Sequence, residues 1–189
     1  MTDAARRLEV EIKVPARDLG AVRNKLRDEG ARPLAPAHFE SNDLYDRGDG
    51  EFANRGCALR LRQTDGGSTL TFKGLASFEA GIKTREERET AVSDPEEMER
   101  ILAALGLERR FRYEKRREEW ELESCVIALD ETPIGDFAEV EGEPPAIRRV
   151  LQRLGLDFSQ AILDSYAELY QRRRRHEPSL PKDMVFRNR

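Results

Sequence analysis

The chain has 189 residues, with 33 Lys+Arg against 37 Asp+Glu, 37% charged and 38% hydrophobic residues, and a formal net charge of -4. This is one domain, or one domain with a tail, and its apolar residues suffice for a core, which excludes wholesale disorder. No run approaches the ~18 consecutive apolar residues of a membrane span, and residues 1–7 carry no apolar stretch of a signal peptide, so a soluble cytoplasmic protein without membrane contact is the expectation.

The opening Leu8-Glu9-Val10-Glu11-Ile12-Lys13-Val14 alternates strictly, apolar on one face and charged on the other, and predicts a strand. Asp18 then caps a short amphipathic helix through Leu19, Val22 and Leu26, stopped by Gly30. Period-two patterns follow over 39–46, 57–63 and 69–73, the last two joined by the turn Asp65-Gly66-Gly67-Ser68, and a further extended run covers 83–92. Ser93-Asp94-Pro95 opens a second helix that runs to Gly106. Three more strands are expected over 111–121, 125–130 and 136–141, then a helix from Pro144-Pro145 to Gly155 and a fourth over 159–172.

Ile101 to Leu107 and Val150 to Leu156 echo each other, a weak hint of an internal duplication. About eight strands with few helices suit an α+β domain whose antiparallel sheet is closed or covered at its ends. The expected organisation is a domain over 1–171 and a basic, flexible tail over 172–189, which holds seven Lys/Arg and two acids. The acidic body argues against nucleic acid as a partner, and Arg172 to Arg175 read as a solvated helix end.

The two cysteines, Cys57 and Cys125, form no Cys-x-x-Cys pair, and His38 and His176 are the only histidines, so neither a zinc centre nor a Ser-His-Asp triad is expected. The informative residues are charges two apart on the strands. Glu9, Glu11 and Lys13 come first, then Arg60, Arg62 and Lys73, then Arg85, Glu87 and Glu89. Lys115, Arg117, Asp130, Glu139 and Glu141 complete the set. An ordinary half-solvated sheet also has a polar face. An idle face, however, mixes Ser, Thr and Gln, whereas this one concentrates arginines, lysines and carboxylate pairs. If the sheet curls with the ionic face inside, seven cations share a narrow space at roughly 4 kcal/mol per close pair for an effective dielectric near 20. Such a lumen calls for an anion, and guanidinium forks and ammonium groups suit phosphate oxygens. Glu9-x-Glu11 and Glu139-x-Glu141 are weak signals singly, but each could take a hard divalent cation. The chain has no P-loop, His-Glu-x-x-His or Gly-x-Gly-x-x-Gly motif.

These residues resemble the CYTH superfamily of triphosphate tunnel metalloenzymes, the group of the class IV adenylyl cyclases and thiamine triphosphatases. Glu9-Val10-Glu11-Ile12-Lys13 matches the Glu-x-Glu-x-Lys signature, followed in order by Leu59-Arg60-Leu61-Arg62, Leu70-Thr71-Phe72-Lys73-Gly74, Arg85 with Glu87 and Glu89, and Lys115-Arg116-Arg117. Asp130, Gly135-Asp136-Phe137-Ala138-Glu139-Val140-Glu141 and Ser165-Tyr166 close the series. Leu44-Tyr45-Asp46-Arg47 departs from the Tyr-Tyr-Asp-Thr common among relatives. The resemblance implies a closed antiparallel barrel of about eight strands with flanking helices, whose tunnel holds a triphosphate and Mg²⁺ or Mn²⁺. It implies Glu9, Glu11, Glu139 and Glu141 as metal ligands, with Glu87, Glu89 and Asp130 as further ligands or their support. Lys13, Arg60, Arg62, Lys73, Arg85, Lys115 and Arg117 would grip phosphates, and Lys13, Glu9 and Glu11 would stand at the reaction centre.

The expected partner is a small molecule bearing a triphosphate, and hydrolysis of nucleoside, inorganic or thiamine triphosphate is slightly favoured. The alternatives are cyclisation of ATP to cyclic AMP and pyrophosphate, non-catalytic binding of a polyphosphate or nucleotide, and an open-sheet interaction domain. An outer barrel face or the last helix offers a surface for a homodimer.

Overall fold

The computed structural model describes residues 7–187; residues 1–6 and the last two residues of the expected tail lie outside the described residues. Eight strands occur: β1 (Arg7–Pro15), β2 (Arg32–Asp46), β3 (Ala58–Thr64), β4 (Gly67–Glu79), β5 (Ile82–Val92), β6 (Glu108–Leu122), β7 (Cys125–Thr132) and β8 (Gly135–Glu141). They close into an antiparallel barrel in the order β1-β5-β4-β3-β2-β6-β7-β8. Five helices flank it: α1 (Leu19–Asp28), α2 (Glu51–Asn54), α3 (Pro95–Ala104), α4 (Pro144–Leu154) and α5 (Tyr166–His176). The expected α+β fold with a closed barrel is what forms. No described helix is long and apolar enough to cross a membrane.

The alternation of β1 sets the polarity of the barrel wall. Ile12 and Val14 point outward into a core shared with α1 and α4, where Leu26, Ile147, Val150 and Leu151 are also buried. Full burial of each such side chain contributes about 1.5–3 kcal/mol. The outer face of β3 meets α3 in the same way, through Leu61, Leu102 and Leu107. The apolar cores therefore lie outside the barrel and at one end of it, and the ionic faces of the strands turn inward.

The helix caps agree with the sequence at Asp18 and Asp94, whose carboxylates accept from the N–H groups of Ala21 and Glu97. Gly106 and Gly155, the stops of the two echoing segments, both adopt positive φ just after their helices. The fourth predicted helix is corrected. Residues 158–160 form a 3-10 turn capped by Asp157, residues 161–164 run extended, and α5 begins only after Ser165. The reason is a capping box in which Ser165 and Glu168 each bond the other's backbone N–H.

The boundary expected at 171/172 falls inside α5, and the segment after it packs against the barrel. Met184 is fully buried beside Tyr113 and exchanges backbone bonds of 2.9 Å with Arg112 and Glu114. The Tyr170 hydroxyl donates to the carbonyls of Pro181 and Asp183. Composition pointed to a solvated tail, but Met184 supplies an apolar anchor within it.

Candidate functional site

The barrel encloses a cavity of about 870 Å³. Of the charged strand residues singled out from the sequence, all except Asp130 line it. β1 contributes Glu9, Glu11 and Lys13, β3 contributes Arg60 and Arg62, and β4 contributes Lys73. Arg85, Glu87 and Glu89 come from β5, Lys115 and Arg117 from β6, and Glu139 and Glu141 from β8. Strand register brings distant residues together: Glu11 lies opposite Glu141, Lys13 opposite Glu139, and Lys73 opposite Glu87.

The lining is a web of ion pairs. Lys13 Nζ is 3.2 Å from Glu139, donates to the Asp164 carbonyl at 3.1 Å and sits 4.2 Å from the centre of the Tyr166 ring. Lys73 bridges Glu9, at 3.3 Å, and Glu87, while Lys83 pairs with Glu11. Arg62 reaches Glu89 at 3.5 Å and Glu40 at 3.7 Å. Four cations are nearly sealed from solvent, with exposures of 6% for Lys13, 8% for Arg60, 9% for Arg85 and 2% for Lys115. Charge this deeply buried is costly unless paired, and each carboxylate in the web answers a cation.

The pairing sets the protonation states. Burial favours the neutral form of Glu139, yet Lys13, Arg117 and Lys115 outweigh it and hold the carboxyl well below its usual range. Glu9 is raised, by burial first and then by its hydrogen bond with Glu87, against the pull of Lys73. Burial also acts to raise Glu87, but the bond with Glu9 and the charges of Lys73 and Arg60 bring it down. The two carboxyls thus face each other with opposite shifts, Glu9 upward and Glu87 downward. Lys83 is raised because Glu11 outweighs the opposing effect of burial.

Glu9 and Glu87 meet inside the cavity, and paired carboxyls of this kind offer their oxygens to a cation. The donors available in the lumen are carboxylate oxygens, which suit a hard divalent ion and not a thiophilic one. Among the described residues no group of three His, Cys, Asp or Glu side chains is gathered closely enough to hold a metal. Glu9 and Glu11 instead lean on Lys73 and Lys83. The carboxylates therefore fit such an ion chemically, and the lysines that hold them are the groups it would displace.

Asp130 departs from its expected place. It is fully buried behind the lining, where it accepts two bonds from Arg117 at 2.8 and 2.6 Å, one from Lys115 at 3.2 Å and one from the Tyr166 hydroxyl at 2.7 Å. With its oxygens occupied, it orients the cations. Burial and the Asp130 charge push the Tyr166 phenol well above its usual range, so it stays a proton donor and packs Phe137 and Tyr113 at the barrel end.

Several charged residues in and around the site were not anticipated, Glu40 and Lys83 foremost among them. Glu40 on β2 is 1% exposed beneath Lys115 and Arg62, and Lys83 opens β5 within the cavity. Asp46, in the stretch that departs from the relatives' pattern, accepts from the backbone N–H groups of Arg47, Phe52 and Ala53 and so holds α2 at the cavity mouth.

Comparison with known proteins agrees with this architecture. "Putative adenylate cyclase MJ0240" from Methanocaldococcus jannaschii is 30% identical over 174 residues, spanning 86% of this chain and 98% of the relative. The PH1819 protein from Pyrococcus horikoshii OT3 superposes with a TM-score of 0.74 at 27% identity, covering 88% of this chain and 99% of that one. A Hippeastrum protein, described as "Putative adenylyl cyclase HpAC1" that "reveals a dominant triphophatase activity", shares the fold with a TM-score of 0.66 at 20% identity over 92% and 98% of the two chains. The CYTH domain family model matches residues 7–176, nearly the whole described chain, and the protein belongs to the CYTH family.

Proposed function

We propose that this protein is a divalent-metal-dependent enzyme that acts on a triphosphate held in the barrel cavity, with hydrolysis of the triphosphate as its reaction. The observation that carries the proposal is the lumen itself, in which Lys13, Arg60, Arg85 and Lys115 are buried charges around an 870 Å³ cavity. Buried cations of this density favour an anionic ligand with several charges, and Arg60, Arg62, Lys73 and Arg117 offer donors from three strands. Phosphoryl transfer needs little covalent chemistry from the protein beyond positioning and charge neutralisation, which is what such a lining supplies.

In this reading Glu9, Glu11, Glu139 and Glu141 hold the metal with help from Glu87 and Glu89, and the ion is Mg²⁺ or Mn²⁺. When bound, the ion neutralises phosphate charge and lowers the pKa of a water. Lys13 is kept in place by the Asp164 carbonyl and the Tyr166 ring, so its ammonium stays aimed into the cavity when Glu139 turns to another partner. Arg117 and Lys115 are oriented from behind by Asp130 in the same way. The proposal places the protein in the cytoplasm, in keeping with its two free cysteines.

The second reading is cyclisation of ATP with loss of pyrophosphate, favoured by the name of the M. jannaschii relative; the description of the Hippeastrum protein favours hydrolysis. Incubation of the purified protein with Mg²⁺ or Mn²⁺ and, separately, ATP, tripolyphosphate and thiamine triphosphate tests both. Orthophosphate with a diphosphate product is the expected result. Cyclic AMP with pyrophosphate establishes the cyclase, and binding without turnover leaves a polyphosphate-binding protein.

A further inference from the structure

The two ends of the cavity differ in chemistry, and the difference is built by a register shift. Lys73 on β4 faces the lumen opposite Glu87, but the β4–β5 register slips between Lys73 and Ala76, so that Ala76 pairs with Arg85 and Phe78 with Lys83. Strict alternation from Lys73 would have put Ala76 and Phe78 on the outer surface. The slip turns them inward beside two cavity cations, and both line the cavity. Leu75, inside the irregular stretch, lines it as well and lies over Gly56, where a Cβ would come within 2.7 Å of the leucine methyl. Leu163, from the extended segment before α5, joins them. Leu75, Phe78 and Leu163 are 72%, 52% and 42% exposed although they border a charged lumen.

Because the strands are antiparallel, the end of β4 and the start of β5 open at the same end of the barrel as the aromatic cluster of Phe111 on β6, Phe137 on β8 and Tyr166 on α5. Arg62, Glu89 and Glu119 lie toward the opposite mouth, on the far ends of β3, β5 and β6.

Resting on the triphosphate reading above, we infer that Leu75, Phe78 and Leu163 form a seat for the organic, ring-bearing part of the substrate, so that the enzyme prefers an organic triphosphate to inorganic tripolyphosphate. The organic group lies at the α5 mouth and the phosphate chain runs inward past Lys83 and Arg85. Apolar side chains exposed at a cavity mouth gain by covering, and an inorganic polyphosphate leaves them uncovered.

The test compares KM for ATP, thiamine triphosphate and tripolyphosphate in the wild type and in Leu75→Ser, Phe78→Ser and Leu163→Ser variants, each checked for native Tm. The three positions are already solvent-exposed, so folding is not at risk. The expected result is that the ratio of KM for at least one organic triphosphate to KM for tripolyphosphate rises about tenfold in Phe78→Ser, a change that corresponds to about 1.4 kcal/mol, and rises in the same direction in the other two. Whether ATP or thiamine triphosphate shows the rise identifies the ring. Turnover of tripolyphosphate with ratios unchanged in all three variants overturns the seat and leaves the triphosphate reading standing. Absence of both binding and turnover for all three ligands overturns that reading and the seat with it.

Discussion

Glu40 offers the sharpest check on the electrostatics of the barrel, because it is charged, 1% exposed and outside the cavity lining. Its neighbours are Lys115 at 3.5 Å, Arg62 at 3.7 Å and His38 at 3.4 Å, and the Asn42 amide donates to it at 3.5 Å. Burial pushes the carboxyl up, but Lys115, Arg117, Arg62 and Arg60 together outweigh it and hold it at about 2, against an ordinary 4.5. At 1.36 kcal/mol per pKa unit this shift is worth about 3 kcal/mol to the folded state. The folded-state value is depressed, so the contribution is fully present above about pH 4.5 and disappears as pH falls toward 2. Glu40→Gln keeps the shape and removes the charge, and it is expected to cost about 3 kcal/mol at pH 7. Urea unfolding of both proteins at pH 7, 5, 4 and 3 measures the gap, which is expected to narrow steadily below pH 4.5. Carboxyls elsewhere titrate in both proteins, so the gap reports Glu40. A gap under about 1 kcal/mol at pH 7, or one that stays constant down to pH 3, would refute the view that buried cations of the wall are held by this carboxylate.

Met184→Ala removes a fully buried side chain from the docked C-terminal segment and is expected to cost about 2–5 kcal/mol, read as a lowered Tm; a change under 0.5 kcal/mol would show that residues 177–187 are not anchored there. Asp130→Asn leaves Arg117 and Lys115 without their shared carboxylate and is expected to destabilise by about 3–5 kcal/mol, whereas Tyr166→Phe, which removes one of its hydrogen bonds, should cost about 1–2 kcal/mol; equal effects would contradict the anchor role. In the native protein a thiol reagent should modify Cys57 and spare Cys125, which is fully buried with its thiol pushed up by that burial, and two rapid equivalents of labelling would contradict this.

How far the sequence discloses this protein depends on local pattern. β1, β3 and β8 alternate cleanly because one face packs under helices and the other faces the lumen, and their ionic residues were all identifiable. Closure of the sheet has no period of its own; it entered through the kind of residue on the ionic face and the family resemblance. β2 hid Glu40 because both of its faces are polar there: Asp43, on the other face from Glu40 and Asn42, is 1% exposed and takes a bidentate bond from Arg112. Lys83 stands in phase with Arg85, Glu87 and Glu89 on β5, so the same two-residue spacing pointed to it and it was overlooked only because it sits at the start of the strand. Asp130 has the right phase for the lumen, but phase does not reveal that three donors of the lining cover it and occupy its oxygens. α2 is four residues long, too short for any helical period, and is fixed by the Asp46 carboxylate.

The central claim, that the buried cations of the barrel form a triphosphate site, is tested most directly by calorimetric titration of tripolyphosphate, with Mg²⁺ present, into the wild type and into Arg60→Met. Arg60 is buried at the cavity wall, is held charged against the effect of burial, and has one guanidinium nitrogen, Nε, with no hydrogen-bond partner. One-site binding that weakens at least tenfold in Arg60→Met, with the Tm of the variant within a few degrees of the wild type, is the predicted result. Equal affinity in the two proteins, or no binding to the wild type, would contradict the claim.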